Sequence, residues 1–285
     1  MTTSESKGIL SDVSETALLT LKARVVESDK KDPVITDAKG KELLDKLGPA
    51  IPPEMRDRLL KRKMRASLTS YIAIRARKYD DYTMEFLERN PEGIVVSLGC
   101  GFDTRYWRAV GEPGRYFELD LPSVIELKMK LMGDEIPYEM IGASVLDEEW
   151  LDRISSVRND RVLFLAEGLV MYLKPDDVKD LLGRISGRFS KSEMVTEVVT
   201  EKYTRGMWKR IVERKMRRGG GTTAGSSYDF GVRTGKDLES MGKDIRVLEE
   251  WSYFEDEDIR PRILRVLGHL RMFSRSQWTV RLRIG

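Results

Sequence analysis

The chain has 285 residues, 40% hydrophobic and 34% charged, with 50 basic against 47 acidic side chains and a formal net charge of +3. That length and apolar share suit one large α/β domain, or a domain with a substantial appendage, and the near-balance of charge gives no electrostatic case for nucleic acid. One cysteine, Cys100, and one histidine, His269, rule out an intrachain disulfide and argue against a Cys/His zinc site or a histidine-based acyl-transfer triad.

In chain order, the first six residues are polar and expected to fray, and MTTSESKGILSD has no apolar leader core. With no run of 18 apolar residues and a free thiol, the expected location is a reducing cytoplasm. Apolar spacing predicts helices over 11–31 (Leu18, Leu19, Leu21, Val25) and 39–48 (Leu43, Leu44, Leu47), interrupted by Pro33 and by Gly48-Pro49. A longer helical pattern covers 54–89, with a break expected near Ser67–Ser70, and Asn90-Pro91-Glu92-Gly93 reads as a turn. The rhythm then changes. Ile94–Leu98, Tyr116–Leu119, Tyr138–Ile141, Val162–Ala166 and Met194–Val199 read as strands, separated by helical segments at 104–110, 122–132, 147–156 and 175–189. This alternation predicts an α/β, Rossmann-like, doubly wound and mostly parallel sheet. A helix over 202–217, a loop RRGGGTTAGSSYDFG, and strands near 246–252 and 275–283 with a helix between them complete the chain. The expected organisation is a helical N-terminal region over 1–90, capping the site, and a core over 91–285 with an insertion at about 200–240.

The first strand runs directly into Gly99-Cys100-Gly101. Glycine permits φ > 0 and, lacking a Cβ, lets a ligand approach the backbone; ligands of open α/β sheets bind at the strands' carboxyl ends. The second strand closes with Asp120, placed to bind both hydroxyls of an adenosine ribose, or to cap the helix that opens at Pro122. Glu118 shares its strand face, so one of the two acids is expected to be structural. A dinucleotide fingerprint needs a third glycine where this chain has Thr104, which favours a cofactor without a pyrophosphate, S-adenosylmethionine, over NAD.

VVSLGCGFDTRYWR (95–108), YFELDLP (116–122) and LFLAEGLVMYL (163–173), in this order, resemble the leucine carboxyl methyltransferase family, including its related polyketide O-methyltransferases. IAIRARKYDDYTMEFL resembles the family's helix before the first motif, and ETALLTLKARVVESDKKDPVITD its N-terminal segment in the polyketide branch. The resemblance covers residues 10–200 and thins beyond. It implies S-adenosylmethionine as cofactor and O-methylation of a carboxylate. Residue by residue, it implies that Arg75 grips the cofactor's carboxylate, with Arg77 as the competing candidate, and that Gly99 and Gly101 form the glycine turn. It further implies that Asp120 binds the ribose and that Glu167 lies beside the cofactor's amino group or sulfonium. Ser144 and Val145 stand where the family often has an acid near the adenine, with Asp147 further on. Tyr172 matches a tyrosine expected to orient the acceptor. Cys100 is expected to be a small buried residue of the turn.

An ionised carboxylate is already nucleophilic at neutral pH, so the absence of an obvious base favours a carboxylate acceptor. EKYTRGMWKRIVERKMRRGGG offers Lys202, Arg205, Lys209, Arg210, Arg214, Lys215, Arg217 and Arg218 around Tyr203, Met207 and Trp208, and is expected to face an anionic or aromatic acceptor. Gly219–Gly221 would hinge a lid. The acceptor is expected to be a small molecule or peptide carboxylate. Rival readings are a methyltransferase acting on a protein C-terminus or RNA, a non-catalytic S-adenosylmethionine-binding protein, and an NAD-linked oxidoreductase.

Overall fold

Residues 12–61, 63–157, 161–220, 227–268 and 270–285 are described in a computed structural model of the chain. Seven strands form one sheet in the order β3-β2-β1-β4-β5-β7-β6: β1 (Ile94–Leu98), β2 (Tyr116–Asp120), β3 (Glu139–Gly142), β4 (Val162–Ala166), β5 (Ser192–Val199), β6 (Ile245–Trp251) and β7 (Gln277–Ile284). β1 to β5 are parallel, while β7 runs antiparallel to β5 and to β6. β1, β2 and β4 are buried along their whole length, because helices cover both faces of a parallel sheet, and their near-continuous apolar sequence reflects this. The strand order reverses between β1 and β4, which makes their carboxyl ends the switch point where such sheets take ligands.

Among the described residues, four helices precede β1: α1 (Asp12–Ser28), α2 (Ala38–Ala50), α3 (Pro53–Leu59) and α4 (Ala66–Arg89). α1 and α2 build an apolar cluster with Leu18, Leu21, Leu43 and Leu47, joined by Phe102 from the glycine turn. Two expected boundaries differ. α2 continues through Gly48-Pro49, because a proline so near the helix end removes a single N–H. α4 runs unbroken through Ser67–Ser70, and the interruption falls before it, at residues 60–65. Thr69 and Ser70 lie in its first turns, where their hydroxyls return hydrogen bonds to the carbonyls of Ala66 and Ser67.

Between the strands lie α5 (Pro122–Met132), α6 (Glu149–Ser155) and α7 (Pro175–Arg188). The helical segment expected at 104–110 is a single five-residue π turn, Tyr106–Val110, closed by Gly111 at φ 72°. The helix expected over 202–217 is divided by Gly206 (φ 62°) into a 3₁₀ turn, Glu201–Thr204, and α8 (Gly206–Gly220). Two short helices, α9 (Ile263–Gly268) and α10 (Arg271–Ser274), stand between the last strands instead of one. No helix among the described residues is long and apolar enough to cross a membrane.

Candidate functional site

The site grows from the end of β1. Gly99 and Gly101 have φ of 63° and 54°, a region L side chains avoid. The N–H groups of Gly99 and Cys100 both donate to the Leu119 carbonyl, extending the β1–β2 ladder into the turn. The Gly101 N–H donates to Asp120 Oδ2 (2.6 Å), and the Leu121 N–H to Asp120 Oδ1 (2.7 Å). Asp120 therefore ties the glycine turn to the end of β2. The helix-cap alternative fails, since Leu121 occupies the N-cap of α5 and no side chain caps that helix. Burial raises the Asp120 pKa, with the two backbone N–H groups and Lys128 pulling against it.

The other acid of β2 is engaged inside the protein. Glu118 accepts from Lys128 Nζ at 2.7 Å, both side chains are fully buried, and Lys128 also donates to the Asp103 carbonyl (2.6 Å). The bare faces of the two glycines meet protein. A Cβ at Gly101 would lie 2.8 Å from the Ala17 Cβ of α1, and one at Gly99 would lie 3.1 Å from Leu169 Cδ1. Close approach thus serves the packing of α1 and of the segment after β4. Cys100 is buried, and burial pushes its thiol pKa up.

Glu167 closes β4 and sits between two guanidinium groups. Arg75 Nε, from α4, donates to its Oε1 (2.8 Å) and Arg105 Nη2 donates to its Oε2 (2.7 Å). Burial works to raise the Glu167 pKa, and the two arginines more than offset it, so the carboxyl lies below the usual range. Arg75 Nη1 also donates to Glu197 Oε2 of β5 (2.8 Å). Arg77, the competing candidate, points elsewhere and pairs with Asp256 and Asp258. Arg105 is 1% exposed and further pairs with Asp80 (2.8 Å) and Asp103 (2.5 Å). Arg108 spans Asp80, Asp103 and Asp37, and Asp37 also holds Arg24 of α1 (2.8 Å) and accepts from the Thr104 hydroxyl (2.6 Å). One buried network of alternating charge therefore runs from α1, across the turn after β1, to the end of β5.

Sequence reasoning did not assign Asp80, Asp103, Arg105, Arg108 or Glu197. The Asp-Thr-Arg of the first motif and an arginine three residues later were visible, but their partners come from distant segments.

The adenine-side candidates follow β3. The Ser144 N–H donates to Asp147 Oδ2 (2.9 Å) and its Oγ accepts from the Leu146 N–H (3.2 Å). Val145 is buried in the sheet's core cluster, and its carbonyl accepts from Trp150 Nε1 (3.3 Å).

Tyr172 lies in a 3₁₀ turn after β4, with its ring 5.6 Å from that of Tyr228 and its hydroxyl pushed by burial to about 12. Tyr203 of the 3₁₀ turn before α8 and Val212 of α8 pack against the same cluster. Tyr71 donates to Glu197 Oε1, and its ring meets Tyr253 at 4.5 Å. Gly168 (φ 65°) lies over this end of the network: a Cβ there would be 3.6 Å from Glu197 Oε2 and 3.8 Å from Arg75 Nη1. Tyr71, Glu167, Gly168, Tyr172, Tyr203, Tyr253 and Gln277 each keep part of their surface exposed, so the carboxyl ends of β4 and β5 open to solvent through a tyrosine-rich mouth.

Of the segment expected to face the acceptor in part, Tyr203 reaches this mouth, while the cations whose side chains are described lie elsewhere. Arg205 pairs with Glu201 and Lys209 with Asp229, Lys202, Arg210 and Arg214 are exposed, and Val212 takes the inner contact. Met207 and Trp208 also face outward. The physical reason is that a charged side chain is costly to desolvate, so these cations stay in water or pair with surface acids. The side chains of Lys215, Arg217 and Arg218, most of the expected lid loop, the Gly221 end of its hinge, and His269 lie outside the described residues.

Comparison with known proteins bears on what this arrangement does. The sequence profile of the leucine carboxyl methyltransferase family matches residues 17–186. The chain belongs to this family. It is therefore a member of a family of S-adenosylmethionine-dependent methyltransferases. The chain is 31% identical over 257 residues to the tetracenomycin polyketide synthesis O-methyltransferase TcmP of Streptomyces glaucescens, covering 88% of each chain. It is 33% identical over 205 residues to the S-adenosyl-L-methionine-dependent methyltransferase dpfgK of Gibberella zeae, covering 69% of this chain and 68% of the relative. Among solved structures, a DUF574 family protein from Streptomyces avermitilis superposes with a TM-score of 0.55 at 12% identity over 93% of this chain and 97% of its own, a likeness of fold.

Proposed function

We propose that the chain transfers a methyl group from S-adenosylmethionine to a carboxylate oxygen of a small aromatic acid. The observation that carries this reading is the meeting, at the sheet's switch point, of Asp120 and the Arg75–Glu167–Arg105 cluster with a tyrosine-rich mouth. The donor chemistry suits the cofactor: acids for ribose hydroxyls and an ammonium group, guanidiniums for a carboxylate. In this reading Asp120 holds the ribose, Ser144 and Val145 border the adenine, and Arg75 and Glu167 bind the amino-acid end, with buried Arg105 holding Glu167 in place. The cofactor supplies an electrophilic methyl group. The chain's part is to orient the acceptor, through Tyr172 and its neighbours, and to exclude water.

The family's name and the O-methyltransferase TcmP support a carboxylate or other oxygen as acceptor, and TcmP, an enzyme of polyketide synthesis, supports a polyketide-like substrate. The test is transfer of a labelled methyl to a panel of aromatic acids. A carboxyl methyl ester releases its label as methanol in mild alkali. Label that survives alkali in every acceptor would refute the carboxylate assignment, and label that appears only in protein or RNA would refute the small aromatic acid.

A further inference from the structure

We propose that Glu197, acting through Tyr71, is a proton acceptor in this site, so that the chain O-methylates phenolic hydroxyl groups as well as carboxylates. The inference rests on the acceptor reading above. The carboxylate was favoured partly because no base is evident in the sequence. The tertiary structure supplies one, in a position that a carboxylate acceptor does not need.

Glu197 is 2% exposed near the end of β5. Its Oε1 accepts from the Tyr71 hydroxyl and from Gln277 Nε2 (2.7 Å), and its Oε2 from Arg75. The groups that face it come from every neighbouring element: Tyr71, Arg75 and Tyr79 from α4, Glu167 and Gly168 after β4, and Gln277 from β7. Tyr172, Tyr228 and Tyr253 lie within electrostatic reach. Burial and the neighbouring Glu167 outweigh Arg75, Tyr71 and Gln277, so the carboxyl's proton affinity is raised. A base works best when its pKa is lifted toward the working pH. Tyr71 is half-buried, with one end on Glu197 and the rest at the mouth among the tyrosines. In this proposal its hydroxyl links an acceptor in the mouth to a carboxylate that is itself almost fully buried.

A carboxylic acid is ionised at neutral pH, whereas a phenol, with a pKa of about 10, is not. For a phenol, the O–H bond breaks as the O–C bond to the methyl forms, and the pair of the old C–S bond stays on sulfur. The phenolic proton passes to the Tyr71 oxygen while Tyr71 gives its own proton to Glu197 Oε1. Loss of that proton to water after product departure restores the site.

The experiment uses the full chain with naphthol and naphthoate as paired acceptors, in wild type, Glu197→Gln and Tyr71→Phe. Melting temperature and S-adenosylhomocysteine binding are measured for each. The ratio of naphthol to naphthoate turnover is expected to fall about 100-fold or more in Glu197→Gln, the usual contribution of a general base, and to fall in Tyr71→Phe as well. A readout without turnover is the absorption of bound para-nitrophenol, expected to be red-shifted by donation toward the carboxylate in wild type and unshifted in Glu197→Gln. Equal loss with both acceptors while S-adenosylhomocysteine binding is intact, wild-type turnover of naphthoate alone, or no red shift in wild type would each overturn the assignment. Failure of the wild-type chain to bind S-adenosylhomocysteine would instead bring down the methyl-transfer reading beneath it.

Discussion

Gly101→Ala tests how the glycine turn is used. The new Cβ would sit 2.8 Å from the Cβ of Ala17 and 3.7 Å from its Cα, at a backbone φ of 54°. Neither neighbour is a flexible side-chain end. Relief requires α1 to move, and Leu18 and Leu21 on that helix are fully buried. An L residue in the left-handed region costs about 1–2 kcal/mol, and overpacking a close-packed contact about 1–3 kcal/mol, so a loss of about 2–5 kcal/mol is expected. Ala17→Gly removes the contact but not the backbone strain. A double-mutant cycle in urea should therefore show a favourable coupling of about 1–3 kcal/mol between the two positions, with the remainder persisting in the double variant. A Gly101→Ala protein as stable as wild type, or strictly additive variants, would refute the packing argument. S-adenosylhomocysteine binding in the double variant then reports whether the bare turn also accommodates a ligand.

Arg105→Met should lower stability by about 3–5 kcal/mol, because Asp80, Asp103 and Glu167 would each lose one of the guanidinium groups that hold their charge in the interior, with Arg108 and Arg75 remaining; thermal and urea unfolding measure this. Asp120→Ala should weaken S-adenosylhomocysteine binding by about 1–3 kcal/mol in calorimetry, and wild-type affinity would reject the ribose assignment. Burial tends to raise the pKa of Asp37 and Asp103, but the arginines around them hold both below the ordinary carboxylate range when folded, as they do for Glu167. The stability these groups confer is complete above the unfolded carboxylate pKa of about 4 and drains away as the pH falls below it, so the melting temperature should drop on that acid limb. Asp103→Asn should melt lower at neutral pH and show a shallower acid limb.

The strand-and-helix rhythm after residue 93 was legible in the sequence because it depends on local periodicity and on apolar runs that only a sheet covered on both faces can bury. Ile94–Leu98, Val162–Ala166 and Pro122–Met132 fall where that pattern places them. The glycine turn and Asp120 were legible for the same reason, lying beside a strand end in sequence as well as in space. What pairs across the chain was not. Arg105 finds Asp80 and Glu167, Arg75 finds Glu197, and Asp37 finds Arg108, across separations that no window of sequence spans. Among 97 charged side chains nothing local distinguishes those destined for the interior. Only the approach of α1 and α4 to the sheet desolvates them, and desolvation makes the choice of partner decisive.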